Sequence, residues 1–104
     1  MLDKIKSFFG IAPAPDYAQL LKEGAIIVDV RTKGEYSGGH IKGSINLPLN
    51  TLGSQLDKLK DKNQVIITCC ASGMRSASAK SLLKSKGYTQ VYNGGGWYGL
   101  QSRL

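Results

Sequence analysis

The chain has 104 residues, 41% of them hydrophobic and 20% charged, a length and balance that suit one folded domain and exclude a disordered tail. No apolar run approaches the roughly 20 residues a helix needs to cross a bilayer. The formal charge of +7 comes from 14 basic residues scattered without a long block. Such a field draws in small anions, but no aromatic platform or recognition-helix pattern accompanies it, so nucleic acid is not expected as a partner.

Residues 1–12 read as an N-terminal segment ahead of a single domain over residues 13–104. Leu2, Ile5, Phe8 and Phe9 can share one helical face, compatible with a short amphipathic helix, while intervening lysines interrupt any signal-peptide core. Docking on the domain or fraying is favoured over membrane anchoring. The protein is therefore placed in the cytoplasm, unless an export leader has been removed.

After Pro13 and Pro15, Asp16 reads as the N-cap of a helix with Tyr17, Leu20 and Leu21 on one face and Gly24 as terminator. Ala25-Ile26-Ile27-Val28-Asp29-Val30 is a continuous apolar run of the kind found in strands buried on both faces. A glycine-rich loop (Gly34, Gly38, Gly39, Gly43) leads to a short strand near Ser44–Leu47, closed by Pro48. Leu52, Leu56 and Leu59 recur at helical spacing, predicting a helix from about Thr51 to Lys60, although Gly53 weakens it. Val65–Cys69 is a second β-branched strand. A helix is predicted from Ser76 to Lys86 with Ala79, Leu82 and Leu83 inward and Gly87 as its stop. Val91-Tyr92 is a last short strand, and Gly94-Gly95-Gly96 precedes Trp97 in a terminal helical turn or two.

Strands alternating with helices predict an α/β fold: a small, mainly parallel sheet flanked by helices on both faces. Open sheets of this kind bind ligands at the carboxyl ends of their strands. Asp29 and Cys70 both fall at such ends.

The two cysteines, Cys69 and Cys70, are adjacent. They close no loop, a disulfide between neighbours would be strained, and with one histidine they cannot complete a four-ligand zinc site. Reactive-thiol chemistry is the distinctive use left to them. In Cys70-Ala71-Ser72-Gly73-Met74-Arg75-Ser76 a buried strand delivers a cysteine into a short turn, and a helix begins at once. The turn's N–H groups can curl around the sulfur, the helix N-terminus adds partial positive charge, and Arg75 adds a permanent cation. Each favours the thiolate, so the thiol pKa is expected below its usual value. Gly73 permits a positive φ, while the small Ser72 and Ser76 leave the bowl open and offer hydroxyls to the sulfur or the helix end. Cys69 points to the opposite face and reads as a core residue rather than a resolving thiol.

The loop from Cys70 to Ser76 resembles the active-site loop of single-domain rhodaneses: cysteine, two variable residues, glycine, one variable residue, arginine, serine. Asp29-Val30-Arg31, Glu35-Tyr36, Gly39-His40-Ile41, Gly43-Ser44-Ile45-Asn46 and Pro48 match the family's first block in order and spacing, and the glycine run with Trp97 resembles its last block. The resemblance covers the chain from about Asp16 onward. It implies a sulfurtransferase in which Cys70 takes sulfane sulfur from a small anionic donor such as thiosulfate. The persulfide then passes sulfur to a thiol, to cyanide or to a sulfur-carrier protein. No cofactor or metal is implied, and a monomer is expected.

Cysteine-dependent phosphatases resemble this loop but place one more residue between cysteine and arginine. With only Ala71 to Met74 intervening, the ring fits one sulfur atom better than a phosphoryl group. A phosphatase-like enzyme and a non-catalytic rhodanese-like interaction domain remain the alternatives. Asp29, Arg31, Glu35 and His40 are expected in support: Asp29 holding the Gly39–Ile41 turn, Arg31 pairing with Glu35, and His40 as a hydrogen-bonded structural residue. Trp97 and Tyr98 are expected in the core or at the rim.

Overall fold

The computed structural model describes residues 15–104, so the predicted N-terminal segment lies outside the described residues. Asp16 caps the first helix, α1 (Tyr17–Lys22), accepting a hydrogen bond from the Gln19 amide at 3.1 Å. The chain leaves it through Gly24 at φ 105°, a left-handed conformation that glycine adopts without a Cβ penalty. The apolar run then forms β1 (Ile26–Asp29).

The remaining strands are β2 (Ile45–Asn46), β3 (Ile66–Cys70) and β4 (Val91–Gly96). They form one fully parallel sheet in the order β2-β1-β3-β4, with Val28 opposite Ile45 and Asp29 opposite Cys69. Central β1 and β3 are covered on both faces, which explains why their sequences are continuous apolar runs rather than alternating ones. Side chains alternate across β3: Ile66 and Cys70 join Val28, Val30, Leu47, Leu52, Ala79 and Leu83 in one core. Ile67 and Cys69 join Tyr17, Ile27, Ile41 and Leu100 in the other. The two-residue period of a strand thus sends neighbouring cysteines into different cores.

Four expectations are corrected. The glycine-rich loop contains a helix, α2 (Lys33–Ser37), started by a capping box in which Thr32 accepts from the Glu35 amide and Glu35 accepts from the Thr32 amide. The helix predicted from Thr51 to Lys60 is instead α3 (Leu49–Leu52) followed by a 3₁₀ turn, Leu56–Lys58. Backbone bonds from Ser54 to Thr51, Gln55 to Leu52 and Leu59 to Leu56 span three residues, not four, and the Ser54 hydroxyl donates to the Thr51 carbonyl beside weakly helical Gly53.

The helix after the cysteine loop, α4, runs Met74–Ser85, beginning two residues earlier than predicted because Gly73 at φ 101° turns the chain directly into it. Finally, β4 continues through the glycines to Gly96 before α5 (Trp97–Gln101). A Cβ on Gly94 would stand 2.8 Å from Leu100 and 2.9 Å from both Ile67 and the Thr68 carbonyl. Only glycine fits at this point of the strand.

Candidate active site

β3 ends at Cys70, beside Asp29 at the end of β1, and on β4 the pairing jumps from Thr68–Asn93 to Cys70–Gly96. This bulge bends β4 over the cysteine loop. A Cβ on Gly96 would lie 2.9 Å from the Ala71 carbonyl, and one on Gly73 would lie 3.3 Å from the Gly95 Cα. The last glycine block is therefore a wall pressed against the loop.

Within that wall the turn closes on sulfur. The Gly73 amide donates to Cys70 Sγ at 2.9 Å, and the Ser76 amide at 3.4 Å. The Ser76 hydroxyl stands 3.5 Å from the sulfur. Thr68 fastens the first turn of α4 to β3 by donating to the Ser76 carbonyl at 2.9 Å. Burial of Cys70 opposes a charge, but donors from the Ser76 hydroxyl and amide and the Gly73 and Ser72 amides outweigh it, holding the thiol below its ordinary value.

The expected open bowl is corrected. Cys70 is 0% exposed and Ser76 is buried, because the amides wrap the sulfur closely and Ser76 turns inward. Ala71 and Ser72 are exposed, and Met74, 79% exposed, forms the outer rim.

Arg75 does not lie on the sulfur. Its guanidinium grips Glu35 with two bonds, of 2.7 and 2.9 Å, and both side chains keep about a third of their surface in solvent (36% and 37%). Arg75 and the capping amide and hydroxyl of Thr32 hold the Glu35 carboxyl down at about 2. The predicted Arg31–Glu35 ion pair is thus corrected: Glu35 spans from α2 to α4 instead. Arg31 pairs with buried Asp29 at 2.7 Å and donates to the Gly39 carbonyl at 2.7 Å and the Glu35 carbonyl at 3.3 Å. It also stacks 4.6 Å from the Trp97 ring centroid.

Asp29 therefore secures the Gly39 turn through Arg31 rather than by touching it. Exposed His40 bonds the Tyr36 carbonyl through Nδ1 at 2.7 Å and stacks on the Tyr36 ring at 3.7 Å. Neither it nor the Asp29–Arg31 pair touches the sulfur. Across the strand, burial and then the Asp29 charge push the Cys69 thiol up to about 12, as a core position requires.

Asn93 is the site residue that sequence reasoning missed. Its Oδ1 accepts from the Ser76 hydroxyl at 2.6 Å and the Gly95 amide at 2.9 Å, and its Nδ2 donates to the Gly73 carbonyl at 3.3 Å. The available signal was its position: a polar residue directly after the apolar pair Val91-Tyr92 and ahead of the glycine run.

A cleft of about 240 Å³ opens beside Arg75 between Val30, Thr32, Pro48, Leu49 and Asn50. Among the described residues, no cluster of histidine, cysteine, aspartate and glutamate could hold a metal ion, and no helix is long and apolar enough to cross a membrane.

Comparison with known proteins identifies the family and the fold. The family model for the rhodanese-like domain matches residues 13–103. Thiosulfate sulfurtransferase PspE of Escherichia coli is 37% identical over 70 residues, 66% of this chain and 67% of that protein. A rhodanese structure from E. coli with bound anions superposes with a TM-score of 0.70 at 34% identity, covering 73% of this chain and 91% of that one. The human single-domain sulfurtransferase TSTD1 gives a TM-score of 0.73 at 27% identity over 86% of this chain and 93% of its own. A match spanning nearly the whole chain, on a parallel sheet that ends in a sulfur-cradling loop, places this chain in the rhodanese-like domain family.

Proposed function

We propose that this protein is a sulfurtransferase that carries sulfane sulfur as a persulfide on Cys70, with thiosulfate or a similar anion as donor. The observation that carries the reading is the pair of amides, from Gly73 and Ser76, aimed at Cys70 Sγ. They stabilise a sulfur anion as oxyanion-hole donors stabilise an alkoxide. The thiolate attacks the outer sulfur of thiosulfate, the donor's S–S bond breaks, and sulfite departs with the electron pair. An acceptor thiolate or cyanide then attacks the terminal sulfur, and Cys70 leaves as thiolate, which completes a covalent two-step transfer.

The four-residue spacing of Ala71 to Met74 between Cys70 and Arg75 supports sulfur over phosphate, and the net charge of +7 favours an anionic donor. Because Cys70 is buried, entry of the donor requires a local opening of the loop around the sulfur.

The test is mass spectrometry of the protein after thiosulfate treatment. One added sulfur is expected on the peptide that carries Cys70, reversed by cyanide. Cys70→Ser is expected to remove both the added sulfur and thiosulfate:cyanide transfer. Unchanged turnover in Cys70→Ser would overturn the reading, and phosphatase activity without sulfur loading would replace it.

A further inference from the structure

The Ser76 hydroxyl has one proton and three neighbours able to take it: Asn93 Oδ1 at 2.6 Å, the Gly73 carbonyl at 3.0 Å and Cys70 Sγ at 3.5 Å. The orientation of the Asn93 amide is fixed by its other contacts. Oδ1 faces the Gly95 N–H, a donor, and Nδ2 faces the Gly73 carbonyl, an acceptor. Neither Oδ1 nor the Gly73 carbonyl can donate, so Ser76 is the donor, and the shorter 2.6 Å contact places its proton toward Asn93. The lone pairs of Ser76 are then left to face the sulfur, an arrangement that accepts an S–H from a neutral thiol and repels a thiolate. A charged sulfur demands the reverse, with the hydroxyl turned to donate, and hydrogen bonds to ions are the stronger kind.

We propose that Asn93 is a positioning residue for the sulfur chemistry: it holds the single hydroxyl proton of Ser76 while Cys70 is a neutral thiol and yields it to the sulfur when that sulfur becomes charged. The thiol proton goes to solvent base, the Ser76 O–H rotates from Asn93 to sulfur, and no other bond changes. Asn93 keeps its bond to the Gly95 amide in both states, so the wall of β4 stays in place while the hydroxyl turns. This inference rests on the reading of Cys70 as the working thiolate, and it adds a competitor from outside the loop for one of that thiolate's donors. The other charged and titratable groups around Cys70 are Arg75 with Glu35 beyond it, Cys69 on β3, Asp29 with Arg31 on β1, and Tyr88, which shares the Cys70 core with its hydroxyl donated to the Leu59 carbonyl. Tyr92 on β4 packs in the opposite core. None of them contacts the Ser76 hydroxyl, so they stay constant in the comparison below.

The test is a double-mutant cycle on the Cys70 titration, read by ultraviolet thiolate absorbance against a Cys70→Ser blank. Asn93→Ala is measured in the wild-type and Ser76→Ala backgrounds. Any general loosening of the loop enters both arms and cancels. With Ser76 present, Asn93→Ala is expected to move the Cys70 titration lower, relative to its effect without Ser76, by at least about half a pH unit. Asn93→Asp keeps the shape and the Oδ1 acceptor but holds the proton harder, so its coupling to Ser76 has the opposite sign. If Asn93→Ala loses its fold by circular dichroism, the Asn93→Asp cycle decides alone. Zero coupling, or coupling of one sign in both variants, overturns the proposal. The titration needs no sulfur donor, so this result stands apart from the persulfide mass test, whose failure would count against the function and not against the proton competition.

Discussion

Cys69 and Cys70 are covalent neighbours, both fully buried, yet their thiols are driven in opposite directions. On the Cys69 side the sulfur meets an apolar core and the Asp29 carboxylate, and burial with that charge outweighs the nearby Arg31 cation. On the Cys70 side two amides point at the sulfur from the turn into α4. Burial alone therefore does not set the character of a cysteine; the orientation of nearby N–H dipoles decides it. A strand's two-residue alternation is enough to separate an inert thiol from a nucleophile one position away.

The largest expected effects come from filling the two glycine gaps in β4, one on each side. A methyl at Gly94 collides with Leu100 and Ile67 of the Cys69 core and with the Thr68 carbonyl. Gly94→Ala is expected to cost about 2–3 kcal/mol of stability, in the range of overpacking, seen as a lower denaturation midpoint. Its sulfur transfer per folded molecule should stay within about twofold. A methyl at Gly96 meets the Ala71 carbonyl, within the cradle itself. For Gly96→Ala about 1 kcal/mol of destabilisation is expected with at least about a tenfold fall in kcat/KM. Equal activity losses in the two variants would break the division between a structural and a chemical face.

Those glycines also mark how far sequence can be read. The apolar runs of β1 and β3 gave the parallel sheet, and the order strand, cysteine, glycine turn, helix gave the cradle, because both are local patterns with a physical period. The strand character of Gly94–Gly96 was not legible: glycine has no side-chain preference, and its reason for being there lies in Leu100, Ile67 and Ala71, distant in sequence or facing across the turn. The Thr32–Glu35 capping box was legible in principle but was masked by surrounding glycines. The partner of Glu35 was not, since the neighbouring Arg31 is the nearer cation along the chain while Arg75 reaches it from 40 residues away. Nor could spacing reveal that Ser76 and the loop amides close over the sulfur instead of leaving it open.

A smaller effect separates the cysteines by pH. Cys70 has a lowered pKa in the fold, so the unfolded chain binds more protons between the folded and unfolded values, and this residue adds stability as pH rises through that window. Its contribution is lost as pH falls through the folded value. Cys69, raised to about 12, does the reverse: its contribution is intact below the ordinary thiol value and is lost as pH climbs towards 12. Denaturation midpoints measured against pH should therefore lose their rising limb in Cys70→Ser and part of their alkaline fall in Cys69→Ala. Identical pH profiles for both variants would contradict the opposed environments.

The smallest effect belongs to Arg75. A free guanidinium at the mouth of the cradle would be expected to lower the Cys70 pKa strongly, but here its charge is already paired with Glu35 by two short hydrogen bonds. The pair keeps about a third of its side-chain surface in solvent, so it presents nearly zero net charge to the sulfur and water screens what is left. Arg75→Ala should thus move the Cys70 titration by less than about half a pH unit, and less than Ser76→Ala does. Glu35→Gln, which frees the cation, should lower the titration relative to wild type, and added salt should erase that difference. A large rise in Arg75→Ala would transfer the main stabilisation of the thiolate from the backbone to the side chain. The difference between the faces of β3 would then rest on one mobile charge instead of on the folded path of the chain.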